Sequence, residues 1–270
     1  MLNYAHTAAS LLDRVRQTNP LVHNITNFVV MNSTANALLA CGASPIMAHA
    51  PDELAEMVAL AGAVVLNIGT LDAHWIAAMR LAGQHASTMA KPLVLDPVGS
   101  GATTLRTSTV KTLLTECQVS VVRGNASEIL SLAGQTSGKG VDSTDSADHA
   151  AQTACGLARE LGTVLAMTGP TDFVTDGTRT VRIEGGHPLM PFVTGTGCTA
   201  SALVGAFLTT TSDVLMATAS ALAYLSVAAE QAGAKASGPG SLQMHLLDAL
   251  YQITPADLAQ GCRIAEVLRV

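Results

Sequence analysis

Apolar and polar positions along most of the chain follow two alternating patterns. Short runs rich in Val, Ile and Leu, bounded by Gly, Pro, Asn or Asp, are typical of buried strands. They predict strands at residues 21–24, 45–47, 64–67, 93–96, 119–123 and 164–167. Longer stretches with apolar residues at helical spacing predict helices between them, at residues 34–41, 52–61, 72–89, 105–114, 127–132 and 147–161. This alternation indicates an α/β fold built from βαβ units, with a mainly parallel central sheet flanked by helices.

The pattern changes after Thr168. Residues 173–175 and 180–183 flank Asp176-Gly177, a pair that favours a two-residue hairpin turn, so an antiparallel edge is expected there. The remaining apolar stretches predict helices at residues 196–209, 214–231, 242–251 and 255–265. The charge-free run at 214–229 is too short to span a bilayer and predicts a buried helix. Because no linker or repeat divides the sequence, residues 1–270 are predicted to form a single domain.

Composition narrows the range of partners. Hydrophobic residues make up 49% of the 270 residues and charged residues only 13%, which suggests extra buried surface, as in an oligomer. The net charge of −6 and a pI near 5.7 argue against nucleic acid or an anionic membrane as the main partner. The N-terminus lacks the features of a signal peptide, and the five scattered cysteines fit reduced thiols. A cytoplasmic protein with a small ligand is therefore expected.

The clearest chemistry lies in the glycine-rich turn Thr194-Gly195-Thr196-Gly197-Cys198, which runs into an apolar helix. A helix that starts in this way leaves backbone N–H groups unpaired and directed at one point, where the helix dipole favours an anion. Gly195 and Gly197 can adopt positive φ and admit a phosphate close to the main chain. In the first turn of a helix the pKa of a thiol such as Cys198 is typically lowered. An anion site is expected here, with an ordinary helix start as the alternative.

A second turn, Arg123-Gly124-Asn125-Ala126-Ser127-Glu128, carries groups suited to a metal and a phosphate. Asn125 and Glu128 can face the same metal–phosphate group while Arg123 pairs with phosphate oxygens. Equally, Asn125 can cap the following helix and Glu128 can lie in its first turn. Asp96, which Pro97 follows, offers a carboxylate at the end of an apolar strand, and a turn-initiating Asp is its simpler interpretation.

Other polar and special residues also fall where predicted strands end. Ligands bind at the carboxyl ends of the strands in open parallel sheets. Thr168 ends one strand, and the segment His23-Asn24-Ile25-Thr26-Asn27 begins inside the predicted strand 21–24 and continues past its end. Taken alone, His23 is more often a structural histidine than a ligand or a base. The residues at predicted strand ends are Asn24, Met47, Asn67, Asp96, Arg123 and Thr168.

Two nucleotide-binding patterns nearly match. Residues 134–140 resemble a P-loop, but the first glycine is one residue too close and a glycine replaces the Ser or Thr that would hold Mg²⁺. Gly195-x-Gly197-x-x-Ala200 satisfies the dinucleotide-binding pattern, with Asp213 near the position of a ribose-binding acid. No strand is predicted between Ala200 and Asp213, and Asp213 resembles a helix N-cap. Dinucleotide binding is therefore the minor alternative.

Five segments together resemble the hydroxyethylthiazole kinase family of the ribokinase-like superfamily. Most ribokinase-like enzymes carry Asp as the usual general base after the second glycine of the turn. Hydroxyethylthiazole kinases instead carry Cys, as this chain does at Cys198, and this separates them from pyridoxal and pyrimidine kinases. The segments are NPLVHNITN (19–27), LDPVG (95–99), RGNASE (123–128), TGPTD (168–172) and GTGC (195–198).

The resemblance implies a ribokinase-like fold and a reaction in thiamine salvage. ATP would phosphorylate the hydroxyl of 4-methyl-5-(2-hydroxyethyl)thiazole with Mg²⁺, in a homotrimer whose sites lie near subunit boundaries. Backbone N–H groups of Gly195, Thr196 and Gly197 would stabilise the developing charge. Cys198 would approach the substrate hydroxyl as a base or a positioning group.

The same resemblance assigns the remaining groups. Arg123, Thr168 and Asn125 would contact the nucleotide, and Asp96 and Glu128 would hold Mg²⁺ directly or through water, since Mg²⁺ usually keeps several waters. The thiazole pocket would be formed by Met47, Asn24, Thr26 and Gly195.

Two other classes of function stay open at this point. A nucleotide-dependent dehydratase of the same superfold would be a lyase, but such relatives carry Asp rather than Cys after the second glycine. A non-catalytic nucleotide sensor fits the absence of the usual base, whereas the presence of Asp96, Arg123 and Glu128 argues against it.

Overall fold

The computed structural model describes residues 3–134 and 144–267, the side chains of 144–149 excepted. Within these residues nine strands form one sheet in the order β2-β1-β3-β4-β5-β6-β7-β8-β9. Strands β1 to β6 pair in parallel, and β6 to β9 pair antiparallel. The strands are β1 (Leu21–Ile25), β2 (Ser44–Ile46), β3 (Ala63–Asn67), β4 (Leu93–Asp96), β5 (Val121–Asn125), β6 (Val164–Thr168), β7 (Thr171–Thr175), β8 (Thr180–Glu184) and β9 (Ile264–Glu266).

Helices cover both faces of the sheet because successive strand residues point to opposite sides. Val65 lies in one apolar core and Leu66 in the other. The first core packs against α1 (Tyr4–Thr18), α2 (Met31–Cys41), α8 (Thr196–Leu208), α9 (Val214–Gly233), α10 (Pro239–Gln252) and α11 (Pro255–Gly261). The second packs against α3 (Leu54–Leu60), α4 (Ala73–Thr88), α5 (Thr104–Glu116), α6 (Ala126–Leu132) and α7 (Thr144–Leu161).

The predicted α/β fold, with its mainly parallel sheet and antiparallel hairpin, is confirmed. Among the described helices, α9 alone is long and apolar enough to cross a membrane by length and composition, and 78% of its most apolar window is buried inside the protein. The buried-helix prediction for residues 214–231 therefore holds. The near P-loop at residues 134–140 lies almost entirely outside the described part of the chain.

Two terminal elements differ from the sequence prediction. Helix α1 was not predicted, although its apolar residues Ala8, Leu11, Leu12 and Val15 are buried at helical spacing. The predicted helix at 255–265 was wrong beyond Gly261, because the chain then forms β9. This strand is too short to show a pattern of its own. It forms because β8 offers an open row of backbone donors and acceptors at the sheet edge.

Candidate active site

Two cavities meet at the carboxyl ends of the parallel strands, where α8 begins. The smaller has a volume of about 330 Å³ and the larger about 770 Å³, and both are lined by Arg123, Asn125 and Gly197. The smaller is also lined by Asn27, Asp96, Glu128, Gly195 and Cys198. The fold brings these groups together, because they come from the carboxyl ends of β4 and β5, the starts of α6 and α8 and the segment after β1.

The glycine turn starts α8 as predicted, but its two glycines have different roles. Gly195 has a φ of +86° at the N-cap, and a Cβ there would lie 2.7 Å from Cγ1 of Val30. Gly197 does not adopt positive φ, so that part of the prediction was wrong. A Cβ on Gly197 would lie 2.8 Å from both Nη atoms of Arg123, so glycine is needed for the close approach of the guanidinium. Among the described residues no side chain caps α8, which leaves its first N–H groups open to an anion.

Arg123 lies on the boundary between the two cavities. Its side chain is 9% exposed, and Nη1 lies 3.6 Å from Oδ2 of Asp96. Nη2 donates to the hydroxyl of Thr168, and Nε has no partner among the described residues. A buried guanidinium with an unused donor fits a ligand that brings oxygen acceptors, as a phosphate does.

Asp96 is fully buried at the end of β4. Its Oδ2 accepts hydrogen bonds of 2.8 Å from Nδ2 of Asn67 and from the hydroxyl of Ser201. Its Oδ1 has no partner within the described residues. Burial raises the pKa of Asp96 to about 6, although the Arg123 charge acts in the opposite direction. A cation at Oδ1 would favour the ionised carboxylate.

Asn125 and Glu128 form the capping box that the sequence left as an alternative. The N–H of Glu128 donates to Oδ1 of Asn125 at 2.9 Å, and Oε2 of Glu128 accepts from the N–H of Asn125 at 2.8 Å. Oε1 also accepts from the N–H of Gly99 at 2.8 Å. Carboxylate oxygens keep further lone pairs, and Glu128 still faces the smaller cavity, so the capping box and a ligand role are compatible.

These oxygen donors suit a hard cation better than a softer metal. The described residues contain no group of three or more His, Cys, Asp or Glu side chains that could hold a metal ion. Asp96, with its unpartnered oxygen, and Glu128 face the same cavity as Arg123. Two carboxylates fit Mg²⁺, which typically takes one or two protein carboxylates together with waters and substrate phosphates.

The thiol of Cys198 faces the smaller cavity from the first turn of α8. Burial, followed by the negative charge of Asp96, raises the pKa of Cys198, so the predicted lowering was wrong. The helix start does not offset removal from water beside a carboxylate. Nδ2 of Asn27 donates to Sγ at 3.5 Å.

The larger cavity has a polar end and an apolar end. Arg123, Thr168 and Gly197 form the polar end, beside the start of α8. The apolar end was not predicted, because it is formed by β8, the loop after it and the middle of α9, which lie far apart in the sequence. It is lined by Ile183, Met190, Leu222 and Leu225. Asp172, which ends the TGPTD segment and was given no role from the sequence, also lines this cavity, and burial raises the pKa of its carboxyl to about 6.

The predicted thiazole-pocket residues do not line either cavity, except for Gly195. Asn24 is 1% exposed within β1, and the carbonyl of Thr26 accepts from Nε1 of Trp75 at 2.9 Å. Met47 follows β2 at the edge of the sheet. His23 is buried, with Nε2 2.7 Å from the carbonyl oxygen of Ala48, which agrees with its structural interpretation.

The dinucleotide alternative fails on this geometry. Helix α8 continues to Leu208, so no strand lies between Ala200 and Asp213. Asp213 instead caps α9, accepting from the N–H of Met216 at 3.2 Å, and pairs with Arg179 at 2.9 Å. These contacts occupy the carboxylate that would bind a ribose.

The chain resembles one family of known proteins in both sequence and structure. The model of the hydroxyethylthiazole kinase family matches residues 12–256. The chain is 58% identical over 267 residues to a hydroxyethylthiazole kinase of Desulfotalea psychrophila, with 98% of each chain covered. It superposes on a hydroxyethylthiazole kinase protein from Pyrococcus horikoshii with a TM-score of 0.90 and 47% identity, covering 96% of this chain and 98% of the other.

The fold is shared more widely than the sequence. A ribokinase-like superfamily protein from Enterococcus faecalis superposes with a TM-score of 0.64 at 13% identity, covering 92% of this chain and 95% of the other. Identity at this level shows the fold alone. The predicted ribokinase-like architecture is confirmed.

Proposed function

This chain belongs to the hydroxyethylthiazole kinase family, and from that premise we propose that it transfers the γ-phosphoryl group of ATP to the hydroxyl of 4-methyl-5-(2-hydroxyethyl)thiazole. The observation that carries the proposal is the meeting of two cavities at Arg123 and Gly197. A donor in the larger cavity and an acceptor in the smaller one would place the transferred group beside the start of α8. Such positioning, with charge neutralisation, is the main requirement of phosphoryl transfer.

The donor side uses groups that are already fixed in place. The open N–H groups of Gly195, Thr196 and Gly197 stabilise charge on the transferred phosphoryl oxygens. Arg123, supported by the Thr168 hydroxyl, pairs with phosphate oxygens, and the apolar end of the larger cavity receives the nucleobase. Asn125, at the shared wall, borders the phosphates.

Asp96 and Glu128 would hold Mg²⁺, which neutralises phosphate charge when bound. The unpartnered Oδ1 of Asp96 and the cavity-facing carboxylate of Glu128 support this assignment. Ser201 and Asn67 fix the Asp96 carboxylate from the opposite side.

On the acceptor side, we assign Cys198 a positioning role rather than that of a general base. Because its pKa is raised, the group is a neutral thiol at neutral pH and is poorly suited to accept a proton. A loose transition state also removes little proton from the attacking alcohol at an early stage. The S–H group can instead donate to the substrate hydroxyl and orient it.

The proposal extends to assembly and location. Residues 1–270 form one domain, and three copies form a homotrimer in the cytoplasm. Met47, which is partly exposed just after β2, contacts the thiazole near a boundary between copies, and Asn24 and Thr26, each 1% exposed, support that pocket from inside the fold. Light scattering that finds only monomer at assay concentration would contradict the trimer.

A coupled ADP-release assay tests the function directly. Thiazole alcohol, hydroxymethylpyrimidine, pyridoxal and a blank without acceptor are compared at fixed ATP, with and without Mg²⁺. We expect turnover only with the thiazole alcohol and Mg²⁺, and a product with one added phosphoryl group by mass spectrometry. Equal or faster turnover of hydroxymethylpyrimidine would refute the substrate assignment.

A further inference from the structure

Two buried asparagines lie side by side at the smaller cavity. Asn67 holds the Asp96 carboxylate, as described above, and Asn27 has no role in the nucleotide or metal contacts. Asn27 is 4% exposed and Asn67 is 1% exposed. Nδ2 of Asn27 donates to Oδ1 of Asn67 at 2.8 Å. A buried amide needs hydrogen-bond partners for both its oxygen and its NH₂ group, so these partners show which neighbouring groups the amide holds in place.

Backbone donors fix the direction of both amides. The N–H of Gly69 donates to Oδ1 of Asn67 at 2.9 Å, and the N–H of Val29 donates to Oδ1 of Asn27 at 3.1 Å. A backbone N–H is always a donor, so the oxygen ends of both side chains are identified and neither amide can flip. Nδ2 of Asn67 therefore faces Asp96, and Nδ2 of Asn27 faces Asn67 and the sulfur of Cys198.

Packing holds Asn27 in this place. A Cβ on Gly69 would lie 2.5 Å from Nδ2 of Asn27, so only glycine leaves room for the amide. On the other side, the carbonyl of Thr26 is bound to the indole of Trp75 at 2.9 Å. The carbonyl of Asn27 itself accepts from the N–H of Val30 at 3.2 Å, so the backbone on both sides of the side chain is held and the amide has little freedom to move.

We propose that Asn27 is a positioning residue for the acceptor side of phosphoryl transfer. Its amide N–H keeps the sulfur of Cys198 as an acceptor, which leaves the thiol hydrogen directed into the cavity toward the substrate hydroxyl. Asn67 fixes Asn27 and continues the same hydrogen-bond chain to Asp96. The assignment rests on the proposed function, because it acts on the alcohol of that reaction.

A double-mutant cycle tests whether Asn27 acts through Cys198. We expect Asn27→Ala to lower kcat about five- to tenfold, the effect of losing one oriented hydrogen bond, with KM for ATP unchanged within about twofold. In the Cys198→Ala background the same change should have no further effect. Independent, multiplicative losses in the double variant would overturn the proposal. Gln152→Ala, which truncates an exposed amide side chain on α7, is the control and should retain parent kinetics.

A second readout does not depend on turnover. Asn27→Asp conserves the side-chain shape but places an acid beside the sulfur, so alkylation of Cys198 by iodoacetamide at pH 8 should slow at least about threefold. Peptide mass spectrometry measures this rate against Cys262, a partly exposed thiol outside the site. An unchanged ratio, with circular dichroism showing a folded protein, would overturn the proposal. If Asn27→Asp slowed the alkylation of Cys198 relative to Cys262 but the parent protein did not phosphorylate the thiazole alcohol, the proposed function would be refuted and the contact between Asn27 and Cys198 would remain supported.

Discussion

Replacing Gly197 by alanine should separate phosphate binding from folding. Gly197 lies in the first turn of α8 with helical backbone, so alanine is allowed there and improves helix propensity by up to about 1 kcal/mol. The added Cβ would nevertheless lie 2.8 Å from Nη1 and Nη2 of Arg123 and 3.2 Å from Cζ. The guanidinium is the group that must move, and Asp96, 3.6 Å from Nη1, limits where it can go.

The size of the effect follows from the contacts that Arg123 would lose. A hydrogen bond to a charged group contributes about 1.5–3 kcal/mol, and a displaced guanidinium forfeits at least one such bond to phosphate. At about 1.4 kcal/mol per tenfold, kcat/KM for ATP should fall about 10- to 150-fold. The free energy of unfolding should change by less than about 1 kcal/mol, because the gain in helix propensity offsets the cost of moving the guanidinium away from Thr168.

Steady-state kinetics and urea denaturation measure the two effects in the same samples. Gly156→Ala is the matched control, since Gly156 is an exposed glycine in α7 with nothing within 4 Å of its added Cβ. It should gain stability by up to about 1 kcal/mol and keep parent kinetics. Parent values of kcat/KM for ATP in Gly197→Ala would refute the role of the close contact between Gly197 and Arg123.

Three further predictions address individual groups. Arg123→Ala should raise KM for ATP and lower kcat, while the circular dichroism spectrum stays unchanged. If the folded variant had the same kinetics as the parent, Arg123 would have no role in phosphate binding. Cys198→Ala should be slower yet measurable, because the N–H groups at the start of α8 still stabilise the transferred group. Cys198→Asp should stay active, because a carboxylate there orients the substrate hydroxyl by accepting its hydrogen. A phosphate adduct on Cys198 by intact mass spectrometry, with an inactive alanine variant, would contradict direct transfer. Burial raises the pKa of Asp172 to about 6. Between about pH 4 and pH 6 the folded protein therefore keeps a proton on Asp172 that the unfolded chain has lost, so the free energy of unfolding falls as the pH rises through this range. Asp172→Asn, which retains an acceptor for the N–H of Gly169, should reduce that slope in urea titrations, and an identical slope would refute the assignment.

Much of the site could be predicted because its signals are local. Buried parallel strands carry continuous apolar runs, and a polar residue at the end of such a run marks the sheet edge that binds ligands. Asp96 and Thr168 were found in this way, and Gly195 through the turn that opens a helix. The short strand β9 and the apolar end of the larger cavity carry no comparable local pattern, because distant partners create both.

The sequence by itself determined the α/β architecture, the residue types at the strand ends and the family, since each depends on short segments with fixed spacing. Only the tertiary structure decided how these groups behave chemically. Asn27 contacts the sulfur of Cys198 although 171 residues separate them in the sequence. The fold also buries the Cys198 thiol beside Asp96, and this raises the pKa of the thiol, whereas its place at a helix start alone predicts a lower pKa. Desolvation and through-space charge depend on which groups the sheet order makes neighbours, and no spacing along the chain specifies those distances.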